Sequence, residues 1–443
     1  MTTIRKGSRL GHIVSLTKGT LLAQIVFVAA TPVLTRIYSP EDLGVFGVFT
    51  ALVLVVARFA GLRLELAVVL PRQDATALKL AELTILVTVC FLSVLGLLYL
   101  LAVNVTGLSN NQHALQAYVP LVLLSVALFL VSETLVFWSI RKQQFVIVAN
   151  ARIIIAALLA FLQLLGFFFE QKLQILIAAY PIALTASIIY QARHLDFSLL
   201  KKRSGDRFRL YRILLHRYQR FPKYTTWSTG LAELSQALPL FVLSVTFGNV
   251  QAGYFFLARR IGLLPTSIVG RAITQVNHAD MLSLYRSGEL GQTMVKQIHW
   301  LQWICIVPAT IIAYFSPALC KFAFGESWYV AGLYLQYLTP YVVVRFVFAP
   351  SGAINHVAEW QKLELVFTVL STILSTAALM WYSTYGSANK AVAAYFLVLF
   401  ACHLLYRMYI MSRLNVNLIH LLKPALIQLP IICVASAALA LAN

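Results

Sequence analysis

Acidic residues are scarce in this chain, and so are polar intervals of any length. Its 443 residues hold 15 Asp and Glu against 35 Lys and Arg, and only 11% are charged, where soluble proteins carry roughly 25%. With 60% hydrophobic residues and a mean hydropathy of +0.81, a water-soluble fold is excluded and the sequence reads as an all-α integral membrane protein. Cysteine is sparse: Cys90, Cys305, Cys320, Cys402 and Cys433 all lie in or beside apolar runs, without CxxC spacing. They read as small apolar residues, neither disulfides nor metal ligands. A Gly-rich phosphate loop, an HExxH pair and a nucleophile elbow are also missing, so the sequence gives no grounds for an enzyme, a cofactor or a metal centre.

The chain consists instead of apolar runs near the roughly 20 residues that a helix needs to cross a bilayer. Twelve are read as core transmembrane helices. The first six are Gly11–Ile37, Leu43–Leu64, Leu80–Val103, Leu115–Phe137, Phe145–Phe169 and Leu173–Gln191; the second six are Tyr224–Phe247, Ala252–Val276, Ile298–Leu319, Tyr329–Phe348, Leu363–Tyr382 and Ala391–Met411. A last run, Pro424–Ala442, is long enough for a thirteenth, although Pro424 and Pro430 interrupt it. Arg5, Lys6 and Arg9 precede the first run with no small-residue cleavage site after it, so it reads as a span and not as a leader. Ser39 is a candidate cap for the second helix, with Pro40 in its first turn and Glu41 and Asp42 at its positive end.

The one long polar interval, Arg193–Lys223, sits at the midpoint and holds ten Lys and Arg against Asp196 and Asp206. The domain plan is therefore a six-helix lobe at 1–192, a basic cytoplasmic connector at 193–223, a second six-helix lobe at 224–411, and 412–443 with a loop and the thirteenth run. Phe208–Leu215 within the connector is amphipathic and suits a helix lying on the membrane among anionic lipids.

Lys and Arg in short loops mark the cytoplasmic side. If the N-terminus is inside and each run crosses, inside regions hold 27 Lys and Arg and outside regions hold four, Arg36, Lys172, Lys321 and Lys390. The +20 net charge is thereby explained as topology, and no nucleic-acid partner is expected. The halves resemble each other weakly, since Pro32 with Gly44-Val45-Phe46 parallels Pro239 with Gly253-Tyr254-Phe255. An even number of spans per half would relate them about an axis along the membrane normal.

Charges within apolar helices are expensive and are site candidates by default. The cations that the inside and outside counts leave over, all within runs, are Arg58, Arg259, Arg260 and Arg345; Arg407, near the end of its run, is counted with the inside cations. Arg58 and Arg345, with Arg152 and Arg271, fall in the inner half, where they could line one cavity; for Arg63, Arg152 and Arg271 snorkelling to headgroups is the better reading, and Arg345 suits either. Arg259 and Arg260 lie about 100° apart round one helix and should not face a cavity equally. Glu233 and Glu133 are the buried acids, placed either to carry a coupling ion or to pair an arginine. Tyr334 and Tyr337, or Trp300 and Trp303, suit packing or interface belts better than sugar stacking.

Several stretches together carry a resemblance: Tyr38-Ser39-Pro40-Glu41-Asp42-Leu43-Gly44, Arg63-Leu64-Glu65 through Pro71, Phe137-Trp138-Ser139-Ile140-Arg141-Lys142, Phe221-Pro222-Lys223, Leu264-Pro265, Gly270-Arg271-Ala272 and Phe324-Gly325-Glu326-Ser327-Trp328. In order and spacing over about residues 10–410 the chain resembles Wzx-type polysaccharide flippases of the multidrug/oligosaccharidyl-lipid/polysaccharide exporter superfamily. Asn277-His278-Ala279-Asp280 departs from the more aromatic pattern expected there. The resemblance implies two six-helix lobes around a central cavity in the bacterial inner membrane, and translocation of undecaprenyl-diphosphate-linked oligosaccharides such as O-antigen units. It also implies a polysaccharide polymerase and a chain-length regulator as partners, with membrane lipids around the protein. Arginines bind phosphate bidentately and stay charged when desolvated, which suits a diphosphate path through Arg58, Arg259, Arg345, Arg260 and Arg271. Without a nucleotide site, energy would come from an ion gradient or from downstream removal of the product. A drug/cation antiporter of the same superfamily is the alternative, disfavoured by few acids; a membrane polymerase or ligase is disfavoured by short outer connections.

Overall fold

The structure, a computed structural model, describes residues 22–26, 28–106, 116–195, 207–266, 281–358, 360–418 and 421. These residues are mostly helical, with no strand among them. The principal helices are α1 Leu22–Ile37, α2 Pro40–Ala60, α3 Asp74–Thr106, α4 Val119–Arg141, α5 Phe145–Leu165, α6 Lys172–His194, α7 Arg207–Arg217, α8 Thr226–Phe247, α9 Asn249–Gly262, α10 Leu290–Phe324, α11 Tyr329–Val347, α12 Gln361–Tyr385 and α13 Ala388–Arg413. Ten of the described helices are long and apolar enough to cross a membrane, namely α2 to α6, α8 and α10 to α13. The first and eighth expected runs are described only in part, and the run 424–442 lies outside the described residues.

Local signals explain where helices begin and turn. Ser39 caps α2 in a full capping box, with its hydroxyl accepting from the Asp42 amide and Asp42 accepting from the Ser39 amide. Gly325, at φ 109°, supplies the left-handed turn between α10 and α11. Phe221–Thr225 forms a single π turn that leads the connector into α8.

The chain divides into two compact units, 1–238 and 239–443, and the division falls inside α8. In the first unit α4 packs on α2, α3 and α6, and α5 packs on α6. The second unit repeats the plan: α11 packs on α9, α10 and α13, and α12 packs on α13. The weak sequence parallel thus has a structural counterpart. Gly44 and Phe46 are buried in the first unit, and Gly253 and Phe255 are buried in the second, where Phe255 stacks on Phe396 with ring centroids 5.5 Å apart. Tyr334 is fully buried and its hydroxyl donates to Gln251 at 2.6 Å, whereas Trp300 and Trp303 are exposed on the helix surface. The tyrosine is a packing residue, and the tryptophans sit where a bilayer would meet them.

One end of the first unit is tied together by two of the motifs that carried the resemblance. The Arg141 guanidinium at the end of α4 donates to the carbonyls of Val69, Pro71 and Arg72 and to Asp74, which also pairs with Lys142. Trp138 packs with Leu64, Ala67 and Val68 of a short 3-10 helix, Leu64–Val69. In the second unit, α11 approaches α10 closely at Gly332. A β-carbon there would lie 2.4 Å from the Pro317 α-carbon and 2.5 Å from the Ser316 carbonyl oxygen. Gly332→Ala should therefore lower stability by about 1–3 kcal/mol, since the obstruction is backbone. Gly96→Ala, which meets only a Leu123 methyl at 3.5 Å, should be neutral. Thermal unfolding of the two variants in detergent tests the pair.

Candidate functional site

Each unit gathers charged side chains, and the two collections differ in character. In the first, Arg58 projects from the last turn of α2 and its Nε donates to Glu233 Oε2 on α8 at 3.0 Å, each side chain 21% exposed. Phe59 meets Trp227 edge-on at 5.8 Å, and Gly230 lies directly against the Phe59 ring, so the early part of α8 is seated on α2. Of the two roles open to Glu233, the geometry displays the ion pair.

Beyond α2, Leu62 and Arg63 adopt positive φ values of 48° and 55°, a conformation costing roughly 1–2 kcal/mol per non-glycine residue. These turns start the 3-10 helix and direct Glu65 inward. Arg63 Nη1 lies 2.8 Å from Glu65 Oε1, with the side chains 12% and 1% exposed, and Glu65 Oε2 has no hydrogen-bond partner. Burial pushes the Glu65 carboxyl above the usual carboxylate range, and the Arg63 guanidinium opposes that shift. Burial likewise pushes Arg63 down, against the attraction of Glu65. Glu133 on α4 feels the charges of Arg152, Arg58 and Arg63 in turn. The first unit therefore holds a balanced set, with Arg58, Arg63 and Arg152 against Glu65, Glu133 and Glu233.

In the sequence Arg63 and Arg152 read better as snorkelling residues, and Glu65 figures only as part of a motif and not as a site candidate. The missed signal was its setting, a lone carboxylate between apolar neighbours in Leu64-Glu65-Leu66-Ala67-Val68-Val69. A loop carboxylate is ordinarily solvated.

The second unit is cationic and phenolic. The Arg345 Nη1 donates to the Tyr341 hydroxyl at 3.3 Å, and its guanidinium lies 5.6 Å from that ring. Tyr341 meets His403 edge-on at 4.8 Å, and the charges of Arg407 and Arg345 both act on His403. Arg407 Nη1 donates to the fully buried Ser351 hydroxyl at 3.0 Å and stacks 5.4 Å from the Tyr406 ring centroid. Arg259 acts on Tyr395, which also feels Tyr341. The carboxylate acting on Arg407 is Glu364. The sequence counted Arg407 with an inside loop; α13 runs on to Arg413 and places Arg407 well inside the helix. Arg260 leads elsewhere, with its guanidinium 5.7 Å from the Phe256 ring of its own helix, so the adjacent arginines have separate surroundings. Arg271 and the stretch 277–280 lie outside the described residues.

Among the described residues no cluster of His, Cys, Asp and Glu is arranged to hold a metal ion. Chemically, the second unit offers guanidinium forks, a ring nitrogen and phenol hydroxyls, a set suited to oxyanions. The first offers cations already balanced by carboxylates.

Comparison with solved structures places the fold. The chain is similar to a lipid II flippase, MurJ, in an inward closed conformation, at a TM-score of 0.74 with 11% identity over 96% of this chain and 93% of that one. It is also similar to a multidrug resistance MATE family transporter of the MOP superfamily in an inward-facing conformation, at a TM-score of 0.66 with 15% identity over 88% of this chain and 95% of that one. A MATE structure in a bent conformation matches at 0.55, with 13% identity over 94% and 96%. The fold is thus shared with the lipid II flippase and the MATE transporters. No match was found among curated protein sequences. A family model described as polysaccharide biosynthesis protein matches residues 33–332.

Proposed function

The chain belongs to the polysaccharide biosynthesis protein family, and from that premise we propose that it is a flippase for undecaprenyl-diphosphate-linked oligosaccharide repeat units, O-antigen or a related polysaccharide. It carries them from the cytoplasmic to the outer leaflet of a bacterial inner membrane by alternating access, with its N-terminus in the cytoplasm and an ion gradient as the energy source. A protein of similar fold is a lipid II flippase, which lends the lipid-linked class its first support. The observation that carries the reading is the make-up of the second unit. Arg259, Arg345, Arg407 and His403 stand among Tyr341, Tyr395 and Tyr406, with Glu364 as the acidic neighbour. A diphosphate desolvated on entering a protein is held by such donors, and a cationic drug would be repelled by them.

The test is transport of a defined undecaprenyl-diphosphate oligosaccharide in proteoliposomes under an imposed proton or sodium gradient. Gradient-dependent appearance of the sugar in the opposite leaflet is expected. Movement of cationic dyes with no movement of the lipid-linked sugar would overturn the reading in favour of an antiporter. Formation of longer glycan by the purified protein would overturn it in favour of a polymerase.

A further inference from the structure

Helix α7 in the basic connector has two faces with different business. Leu214 and Tyr218 are buried, and Leu210, Tyr211 and Leu215 pack beside them against Leu64, Val68, Leu78 and Trp138 of the first unit. The Tyr211 hydroxyl donates to Glu82 Oε2 at 3.0 Å, and Glu82 also pairs with Lys79. This inner face holds α7 onto α3 and the 3-10 helix. The opposite face is a continuous exposed strip at helical spacing, made of Phe208, Arg209, Arg212, Ile213, His216, Arg217 and, just past the helix, Arg220. Phe208 is 81% and Ile213 53% exposed, and no Asp or Glu occurs from Arg207 to Lys223. The next residues continue the pattern. Lys223 is followed by Tyr224 and Trp227, 71% and 65% exposed, at the start of the apolar helix α8.

We propose that this strip is a docking site for the headgroups of anionic phospholipids, with Phe208 and Ile213 inserted between them. Four exposed arginines, spaced three, five and three residues apart, present guanidinium forks to phosphates, and none of residues 207–223 is itself a carboxylate. Two large apolar side chains among the arginines have no favourable place in water, but they fit the boundary between headgroups and acyl chains. Tyr224 and Trp227 are the residue types that concentrate at that depth, and they start the adjoining span. A soluble anion would satisfy the arginines and leave Phe208 and Ile213 stranded. Because the inner face grips α3 and the 3-10 helix that holds Glu65, lipid docking pins that end of the first unit to the bilayer surface. The inference stands whether or not the substrate is a lipid-linked sugar.

The experiment is hydrogen exchange of 207–220 in the full-length protein, reconstituted in nanodiscs of phosphatidylcholine alone or with about one third phosphatidylglycerol. Slower exchange is expected in the anionic discs. At about 1 kcal/mol, or fivefold, per arginine near an anionic surface, the double variant R212Q/R217Q should reduce the lipid effect more than tenfold. The effect should collapse in 1 M salt on the unmutated protein, where screening acts within about 3 Å. Phe208→Ser, which keeps every charge, should weaken it as well. Equal exchange in the two disc compositions would overturn the proposal, as would a lipid effect that survives salt or R212Q/R217Q. Equal protection by inorganic pyrophosphate in neutral discs would show a soluble-anion site and overturn the assignment to lipid.

Discussion

Neutralising Arg345 and Arg407 together should lower the initial rate of lipid-linked oligosaccharide transport by about two orders of magnitude or more. A hydrogen bond from a charged group contributes about 1.5–3 kcal/mol, and 1.4 kcal/mol is a factor of ten. Two such donors lost from one diphosphate therefore reach at least that figure. The charges of the two arginines act on each other and on His403, with Tyr341 joining them geometrically. Holding like charges together within a membrane helix pair is unfavourable until an anion arrives, so their proximity favours a ligand. Arg407→Lys keeps the charge, loses the fork and should retain intermediate activity. Transport with R345Q/R407Q near the unmutated rate, in protein that reaches the membrane folded, would remove the second unit from the substrate path. A structural share is expected too: Ser351 loses the group donating to it, so unfolding should be followed beside transport.

The second large effect concerns stability and pH at the Arg63–Glu65 pair. Removing one partner of a buried ion pair costs about 3–5 kcal/mol when the remaining charge has no escape. Glu65→Gln leaves Arg63 with no escape, because a guanidinium does not deprotonate in proteins. Arg63→Gln leaves Glu65, which can protonate. Burial already pushes that carboxyl up against the pull of Arg63, and without Arg63 it rises further. The folded R63Q protein then binds a proton that the unfolded chain, with a carboxyl near 4.3, has released. Its stability should be highest at low pH and fall as pH rises above about 4.3 until the folded carboxyl ionises, at up to about 1.4 kcal/mol per pH unit. The Glu65→Gln variant has no carboxyl at this position and should lack that slope. Thermal unfolding of both variants at several values between pH 5 and 8 decides the matter. If R63Q proves pH-independent, or more damaged than E65Q at pH 6, the buried-carboxylate account fails.

Much of the architecture was legible because bilayer thickness imposes one length on every crossing element. The runs expected at Leu80–Val103, Leu173–Gln191 and Leu363–Tyr382 lie inside α3, α6 and α12, and Ser39 caps α2. Helices α3, α6, α10, α12 and α13 extend beyond their runs at both ends, since polar ends such as Asp74, Lys172 and Arg413 continue the helix without adding hydrophobicity. The amphipathic stretch Phe208–Leu215 falls inside α7. What composition did not disclose was pairing. Arg58 and Glu233 are 175 residues apart, and nothing local in either marks the other. Arg407 was hidden by a boundary, because a cation near the end of an apolar run resembles a loop residue. Glu65 was hidden by position, lying outside the crossing runs yet fully buried by the 3-10 turn.

The Arg141 guanidinium that closes the turn after α2 also sets a clock on the ribosome. The carbonyls of Val69 and Pro71 precede it by 72 and 70 residues. At synthesis rates of about 5–20 residues per second, those oxygens wait on the order of ten seconds before their donor has been made. Until then the turn keeps its carbonyls in water or against the insertion machinery. The third helix is therefore synthesised before the turn that precedes it can be completed.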